Sequence, residues 1–332
     1  MLTRPDQISD PELLRCVRDG WSTDLLSVDY HPVGFGSHHW LARGSDGRRW
    51  FVTVDDLIGK VSSDGESMDA AYDRLHAALV TARAARECGA EFVVAPIPRA
   101  GGEVLLRFRQ RFAVALYAHV DGRAGRFSDV LSVADRRAVA DLLAALHDLP
   151  ERARRAARVD DLRIASRDSL DTALADLGRV WDTGPYAEPT RRLLGQHSAA
   201  LDRLLATYDR RAHTTGEHAD ASVLTHGEPH PGNLIRTDDG WVLVDWDTAL
   251  LAPPERDLWM LDPGDRSVAD AYTEATGRPV HADVMDLYRL RWDLTDVALF
   301  VSGFRRAHDG SGDDESSLTY LGETLDRLSA RT

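Results

Sequence analysis

The segment that decides the fold is Thr225-His-Gly-Glu-Pro-His-Pro-Gly-Asn-Leu-Ile-Arg236, followed by Trp241-Val-Leu-Val-Asp-Trp-Asp247. A regular helix cannot run through the first part, because Pro229 and Pro231 each remove a backbone donor and fix φ. Short apolar runs lie on both sides of it, and Asp238-Asp239-Gly240 is a turn signal. We therefore predict a polar loop followed by a β-hairpin.

The predicted hairpin brings an amide and a carboxylate together. A turn centred on Asp239 would place Asn233 opposite Asp245, with Cα atoms ~4.5–5.5 Å apart. An amide oxygen and a carboxylate at that separation form a hard oxygen site that suits Mg²⁺ with its waters and a phosphate. Glu228, on the preceding loop, would lie near an acceptor hydroxyl, which is the layout that phosphoryl transfer requires.

These residues resemble a known family. His226-Gly-Glu228, Asn233 and Asp245 resemble the catalytic and metal loops of the aminoglycoside phosphotransferase family, which is similar to the protein kinases. The family pattern is His-Gly-Asp, four residues, Asn, and then a hydrophobic residue before Asp-Trp. The run Leu251-Ala-Pro-Pro-Glu-Arg-Asp-Leu258 resembles the family's next element, which implies that Asp257 braces the catalytic loop. Within the family, the segment is most like the spectinomycin-type and related actinobacterial antibiotic kinases.

The resemblance also implies an α+β, protein-kinase-like bilobal fold. Residues 1–118 would form an N-lobe with a small antiparallel sheet and one long helix. Residues 119–332 would form a helical C-lobe with the catalytic loop, the metal hairpin and the acceptor pocket. The residue pattern agrees, because strand-like runs, including Phe92–Ala95, precede a mainly helical region that starts at Ser132, a predicted helix cap.

The N-lobe would bind the nucleotide, ATP or GTP. The loop Gly34-Phe-Gly36-Ser37 lies between two strand-like runs and can bring backbone N–H groups against phosphates. Thr53 stands where the family has a phosphate-binding lysine on the third strand. Lys60, the only lysine, is a candidate substitute, with a solvated surface lysine as the alternative. Tyr117 and His119 would lie where the chain crosses between lobes, with backbone amides near a purine edge.

The composition indicates an ordinary globular protein of 332 residues, 43% hydrophobic and 28% charged. A net charge of −14 argues against nucleic acid as a partner. It is compatible with a cationic small-molecule substrate, although acidity that maintains solubility is the plainer explanation. Without a long apolar run or an apolar leader, we predict neither a membrane span nor a signal peptide. Only Cys16 and Cys88 occur, which favours the cytoplasm. The oligomeric state stays open.

A zinc site is the main alternative for the same loop, because His226, Glu228 and His230 form His-x-Glu-x-His. Metalloprotease histidines need a helix to place them on one face, and the two prolines and the glycine of this loop prevent one. We therefore expect both histidines to support the loop structurally. No P-loop and no nucleophile elbow occurs in the chain.

Three acids of the C-lobe, Asp247, Glu255 and Asp262, are candidates for binding the acceptor. An acid-lined pocket would suit a cationic, hydroxyl-rich antibiotic. The resulting hypothesis is a Mg²⁺- and nucleoside-triphosphate-dependent O-phosphotransferase that acts on an antibiotic, for resistance or self-protection. Thr53 and Glu228 depart from the family pattern and motivate a second hypothesis, a kinase-fold binding protein with weak or no catalysis. A metabolic hydroxyl kinase is the third.

Overall fold

The computed structural model describes residues 1–63, 65–216 and 222–331. The first lobe is a five-stranded antiparallel sheet with the strand order β1-β2-β3-β5-β4, covered by one helix on each face. Its elements are α1 (Asp10–Trp21), β1 (Leu25–Tyr30), β2 (His38–Gly44), β3 (Arg49–Asp56), α2 (Met68–Glu87), β4 (Leu106–Phe108) and β5 (Phe112–Ala118).

Strand β5 is apolar along nearly its whole length because both of its faces are covered. Phe112, Val114 and Leu116 pack with α1, whereas Ala113, Ala115 and Tyr117 pack with α2. This period of two is the side-chain alternation of an extended strand. It directs one face of the sheet, which includes Tyr117, towards α2.

Helix α2 begins where Ser67 caps it, since the Ser67 hydroxyl accepts a hydrogen bond from the backbone N–H of Ala70 at 3.1 Å. It ends before Gly89, whose φ of +99° is readily adopted only by glycine. Its buried side is rich in alanine and contacts the sheet through Leu75 and Leu79.

The second lobe is mainly helical, as predicted, and Ser132 does cap its first long helix by accepting from the backbone N–H of Asp135 at 3.1 Å. The predicted α+β class, with an antiparallel-sheet lobe and a helical lobe, is confirmed. The helices of this lobe are α3 (Val133–His147), α4 (Glu151–Arg154), α5 (Arg167–Ala175), α6 (Ala187–Gly216), α7 (Glu255–Leu258), α8 (Ser267–Thr276), α9 (Ala282–Phe304) and α10 (Gly312–Ser329).

Two small three-stranded sheets hold the loops of the second lobe, with the orders β10-β9-β6 and β7-β11-β8. The loop after β8 contains Glu228, and the β9–β10 pair is the predicted hairpin. The strands are β6 (Arg123–Ala124), β7 (Arg158–Val159), β8 (Val223–Thr225), β9 (Leu234–Thr237), β10 (Gly240–Leu243) and β11 (Leu250–Ala252).

One strand prediction is wrong. Phe92–Ala95 does not join the antiparallel sheet of the first lobe. Instead, Val93 forms a parallel bridge with Leu243 of β10, and the Leu243 N–H donates to the Phe92 carbonyl at 2.8 Å. These residues therefore tie the first lobe to the hairpin of the second. Among the described residues, no helix is both long enough and apolar enough to cross a membrane.

Candidate active site

The β9–β10 hairpin forms, but its register differs by one residue from the prediction. Thr237 pairs with Gly240, so the turn is Asp238-Asp239 alone, and the Val244 N–H donates to the Asn233 carbonyl at 3.0 Å. The tight turn is held by the Thr237 hydroxyl, which donates to the Gly240 carbonyl at 2.9 Å. Asn233 is therefore opposite Val244, and Asp245 lies one position further on.

Asp245 still lies near Asp247, Lys60 and Glu228, at a point where the chain turns. Its φ is +64°, a left-handed conformation that costs a non-glycine residue roughly 1–2 kcal/mol. Burial, followed by the charge of Asp247, raises the pKa of Asp245 well above its ordinary value, while Lys60 opposes this shift. Glu228 also contributes to the shift, so the carboxyl groups of the loop and the hairpin lie close enough to repel one another.

Asn233 ends a short 3₁₀ turn, Pro231–Asn233, and is buried. Its amide nitrogen donates to the Glu228 carbonyl at 3.0 Å, which orients the amide oxygen away from that loop. Within the described part of the chain, no donor is bonded to that oxygen. Asn233 thus fastens the Glu228 loop and keeps one hard oxygen available beside Asp245.

His226 supports the loop with both ring nitrogens. Its Nδ1 accepts from the Glu228 N–H at 3.2 Å, and its Nε2 donates to the Val244 carbonyl at 2.9 Å. Burial lowers the pKa of His226, and its ring packs edge-on against Trp246 with centroids 4.6 Å apart. Neither nitrogen is left for zinc. No group of three or more His, Cys, Asp or Glu side chains in the described ranges is arranged to hold a metal ion.

Asp257 connects the Glu228 loop to the helical lobe. It accepts the backbone N–H groups of His226 at 2.9 Å and Gly227 at 2.6 Å. His147 Nε2 also donates to it at 3.0 Å, and the Tyr272 hydroxyl donates to His147 Nδ1 at 2.8 Å. Burial alone would raise the pKa of Asp257, but the hydrogen bond from His147 brings it below its ordinary value.

Gly227 has to be glycine. Its φ is +100°, and a Cβ atom there would collide with the Arg256 guanidinium. Arg256 in turn donates to the Thr225 hydroxyl at 2.7 Å and to the Thr248 carbonyl at 2.8 Å. The helix that supplies Asp257 therefore also fastens both ends of the loop-and-hairpin segment.

Glu228 is a partly exposed acid near Asp245 and Asp247, with 31% of its side chain exposed. Burial raises its pKa to about 7, with a further contribution from the charge of Asp247, whereas Arg256 and Lys60 lower it. A carboxylate with a pKa near neutrality can exchange a proton with a hydroxyl group at physiological pH.

Lys60 is not a solvated surface residue, since only 19% of its side chain is exposed. Its Nζ lies 2.5 Å from Asp247 Oδ2 and 3.1 Å from Asp55 Oδ1. Burial alone would lower the pKa of Lys60, but Asp247 and then Asp55 raise it well above its ordinary value, so the ammonium stays charged. Burial likewise would raise the pKa of Asp247, and Lys60 brings it below its ordinary value.

The segment that carries Lys60 is tied both to the end of β3, where the Lys60 N–H donates to the Asp56 carbonyl at 3.1 Å, and to α2. Arg74 donates to the Lys60 carbonyl at 2.6 Å and forms an ion pair with Glu66 at 3.1 Å. A Cβ atom on Gly36 would lie 3.9 Å from Lys60 Nζ, so the ammonium lies beside the glycine loop. Gly34 and Gly36 have φ values of +71° and +82°, which bend this loop back on itself.

Ser37 and Thr53 are both engaged with neighbouring side chains. The Ser37 hydroxyl donates to Asp55 Oδ1 at 2.6 Å. Burial raises the pKa of Tyr117 well above its ordinary value, and the nearby Thr53 hydroxyl opposes this shift. Tyr117 stays within β5, opposite Phe51. Thr53 therefore lies in the sheet next to Tyr117, and the cation beside the glycine loop comes from Lys60 instead.

His119 differs from the sequence prediction. Its backbone N–H donates to the Arg49 carbonyl at 3.2 Å, because the chain continues along β3 for one residue beyond Ala118. That amide is therefore used within the sheet and is not free for a purine edge.

The three predicted acceptor acids lie in different places. Asp247 pairs with Lys60 of the first lobe. Glu255 is only 2% exposed and accepts the His281 N–H at 2.8 Å, so it anchors the start of α9, and its assignment to the acceptor pocket is wrong. Asp262 borders a separate cavity of about 380 Å³ beside the first turns of α9, with Met285 and Arg289.

Sequence reasoning missed three acidic or imidazole groups, namely Asp55, His147 and Asp296. Asp55 could have been found from its place two residues after Thr53 on the same face of β3. His147 is a buried polar residue at the end of an apolar helix, a weak signal of a buried hydrogen bond. Asp296 lies on α9, and burial, then Asp293 and Glu228, raise its pKa to about 7.

Comparison with known proteins gives this site a family context. A model of the Phosphotransferase enzyme family, APH, matches residues 39–300. Protein StrN of Streptomyces griseus is 30% identical over 315 residues, which cover 90% of this chain and 87% of that protein.

Solved structures share the fold. A spectinomycin phosphotransferase in complex with ADP and spectinomycin superimposes with a TM-score of 0.72 at 17% identity, covering 97% of this chain and 98% of that one. An amicoumacin kinase in complex with AMP-PNP, Ca²⁺ and Ami gives 0.59 at 12% identity, covering 98% and 95%. The kinase-like character predicted for the fold is confirmed. Because the family match spans both lobes and includes the catalytic loop and the hairpin, this chain belongs to the phosphotransferase enzyme family, whose members are small-molecule kinases.

Proposed function

We propose that this protein transfers the γ-phosphoryl group of ATP or GTP to a hydroxyl group of a small molecule, in a Mg²⁺-dependent reaction. The observation that carries the proposal is the convergence of Glu228, Asn233, Asp245 and Lys60 in one cleft. A base, a hard oxygen pair and a phosphate-binding cation are the parts that phosphoryl transfer uses.

Glu228 is the base in this proposal. The acceptor oxygen forms a bond to the γ-phosphorus, the bond from that phosphorus to the bridging oxygen of the nucleotide breaks, and the acceptor proton passes to Glu228. The hydrogen bonds from the Glu228 N–H to His226 and from Asn233 to the Glu228 carbonyl hold this loop in place before substrate arrives. The longer glutamate side chain, compared with aspartate, sets the acceptor slightly further from the backbone.

The donor set beside Glu228 fits a divalent cation. Asp245 and Asp247 are crowded carboxyls, and the amide oxygen of Asn233 is left unbonded by the described residues. Asn233 and Asp245 would hold Mg²⁺, which would supply positive charge to the phosphates of the nucleotide.

Lys60 takes the place of the strand lysine in binding phosphate. It lies beside the glycine loop and is held by Arg74 through its backbone carbonyl. Asp247 and Asp55 keep its ammonium charged and in position. Thr53, the residue at the family's lysine position, is turned towards Tyr117.

We propose an antibiotic of the aminoglycoside-like or a related hydroxylated class as the acceptor, with resistance or self-protection as the outcome. Supporting this choice, the solved structures that share the fold include a spectinomycin phosphotransferase and an amicoumacin kinase. Because ATP and GTP are cytoplasmic, the enzyme would act in the cytoplasm.

The test is phosphate transfer from ATP or GTP, with and without Mg²⁺, to spectinomycin, hygromycin B and streptomycin. Asn233→Ala should change the Mg²⁺ requirement, and Asp238→Asn, in the exposed turn of the hairpin, serves as the matched control. If both variants keep the Mg²⁺ requirement of the wild type, the metal assignment is contradicted.

A kinase-fold protein that binds nucleotide with weak catalysis is the second candidate. The observation that favours it is the double ion pair of Lys60, whose ammonium is shared with Asp55 and Asp247. If nucleotide raises the melting temperature of the protein but no acceptor is phosphorylated, this second function holds and the first does not.

A further inference from the structure

Residues 1–3 lie against the glycine loop of the first lobe. The Met1 nitrogen donates to the Gly34 carbonyl at 2.7 Å and to the Ser37 carbonyl at 2.9 Å. The Tyr30 hydroxyl, at the end of β1, donates to the Met1 carbonyl at 2.8 Å. Residues 1–3 are therefore bonded both to the glycine loop and to the strand that leads into it.

The same residues are also bonded to α10 of the second lobe. The backbone N–H groups of Leu2 and Thr3 donate to the two carboxylate oxygens of Asp313, each at 2.9 Å. Asp313 lies in the first turn of α10 and is only 5% exposed. Burial alone would raise the pKa of Asp313, but these two N–H donors bring it below its ordinary value. The carboxylate is therefore charged at neutral pH, and hydrogen bonds to a charged acceptor are strong ones.

A ring contact joins the glycine loop to α10 directly. Phe35, between the two glycines of the loop, meets Tyr320 edge-on with centroids 5.8 Å apart. Tyr320 follows Asp313 by about two helical turns, so both side chains lie on the same side of α10. The loop and the helix are thus connected at two points, one polar through residues 1–3 and one aromatic.

The contacts continue from the glycine loop to the cation of the proposed site. The Ser37 hydroxyl donates to Asp55 at 2.6 Å, and Asp55 pairs with Lys60 at 3.1 Å. A loop with two glycines has many accessible conformations when nothing holds it, so its shape depends on such contacts. A continuous set of bonds therefore runs from Asp313, through residues 1–3 and the glycine loop, to the Lys60 ammonium.

We propose that Asp313 is a positioning residue for nucleotide binding, which holds residues 1–3 on α10 and thereby fixes the glycine loop beside Lys60. The inference rests on the proposed function, since that function places the nucleotide phosphates at this loop. Asp313 acts through the loop and not by contact with the nucleotide. Its effect is on the fraction of molecules whose loop already has the binding conformation, and the apparent nucleotide affinity is proportional to that fraction.

The experiment measures the Kd of AMP-PNP and of GMP-PNP, each with Mg²⁺, by isothermal titration calorimetry for the wild type and Asp313→Asn. The amide presents one oxygen where the carboxylate presents two, and its NH₂ group would face one of the two backbone donors. For the nucleotide that the wild type binds more tightly, we expect Kd to rise roughly 5- to 50-fold. Amide hydrogen exchange of residues 33–38 should become faster in the free variant, while exchange of residues 226–235 stays the same.

Tyr30→Phe tests the same attachment from the first lobe. It removes the hydroxyl that bonds residues 1–3 and leaves α10 untouched, so it should raise the same Kd by a smaller factor than Asp313→Asn does. If Asp313→Asn does not fold, Tyr30→Phe decides the question, and a wild-type Kd in Tyr30→Phe would then overturn the positioning role.

Asp314→Asn is the matched control, because Asp314 is the next acid in the same helical turn. Its carboxylate accepts the backbone N–H groups of Gly310 and Ser311 at 3.0 Å each, so it stabilises the start of α10. We expect Asp314→Asn to lower the melting temperature and to keep the wild-type Kd.

The outcomes separate the positioning role from the proposed function. If Asp313→Asn folds and keeps the wild-type Kd, or if Asp314→Asn raises Kd as much as Asp313→Asn, the positioning role is wrong while the proposed function stands. If the wild type binds neither nucleotide, the proposed function is contradicted, and the positioning role with it.

Discussion

The two sides of the cleft are assembled differently. On the C-lobe side, Glu228, Asn233 and Asp245 come from one loop and the hairpin that follows it. On the N-lobe side, Lys60 comes from the segment after β3 and forms its ion pair with Asp247 of the other lobe. A catalytic loop whose parts must keep fixed offsets is visible as a motif, whereas a phosphate-binding cation can come from any segment that reaches the phosphates.

Among the variants that test this difference between the two sides, Glu228→Gln should have the largest effect on kcat. Removing the proposed base should lower kcat about 10²- to 10⁴-fold, while nucleotide affinity stays near the wild-type value. Steady-state kinetics with a phosphorylated acceptor and a nucleotide titration measure the two quantities. Unchanged turnover would show that the C-lobe motif does not supply the base.

Asp257→Asn tests how far the C-lobe side depends on its buried brace. An amide cannot accept from His226, Gly227 and His147 together, so one buried donor loses its partner. We expect the free energy of unfolding to fall by about 2–4 kcal/mol, as measured by denaturant titration. The control is Asp262→Asn, outside the loop, with an expected change below about 0.5 kcal/mol. If both variants lose the same free energy of unfolding, the hydrogen bonds of Asp257 do not stabilise the loop more than an ordinary acid would.

Lys60→Met tests the N-lobe side. Loss of its charge should lower kcat/KM for the nucleotide about 10- to 100-fold, because a charge-assisted phosphate contact disappears. Lys60→Arg should retain more activity, and Thr53→Val should change kcat/KM by less than about threefold. A larger loss of kcat/KM in Thr53→Val than in Lys60→Met would show that Thr53 on β3, rather than Lys60, contacts the nucleotide.

The pH dependence of kcat/KM tests whether Glu228 acts as the base. A base must be deprotonated, and burial raises the pKa of Glu228 to about 7. The value of kcat/KM should therefore fall as pH decreases below 7, by about tenfold per pH unit well below the pKa. A profile that stays flat down to pH 5 would contradict a base with this pKa.

Much of the C-lobe side was predictable from the chain. Pro229, Pro231 and Gly232 exclude a helix locally, and the Asp238–Gly240 turn signal predicts the hairpin, so the loop and the ribbon were expected where they occur. The register was wrong by one residue because turn length, rather than the turn residues, decides which positions are opposed.

Other features could not be predicted from local pattern. Glu255 lies in a run that suggested an acceptor acid, but packing against the start of α9 turned it inwards to His281. Asp296 has no motif around it, and only the packing of α9 brings it within range of the charge of Glu228. The segment Phe92–Ala95 is extended, as its residues suggest, yet its neighbour is β10 instead of the first-lobe sheet.

Features that depend on neighbouring residues could thus be inferred from the sequence, since prolines, glycines and capping hydroxyls act on the backbone within a few residues of themselves. This covers the α+β class, the catalytic loop, the hairpin and the Ser132 cap. Tertiary structure alone decided that Lys60 meets Asp247, 187 residues away, that His147 supports Asp257, and that the charge of Glu228 acts on Asp296. Such pairs depend on how lobes and helices pack, and neither the identity nor the spacing of the residues encodes that packing locally.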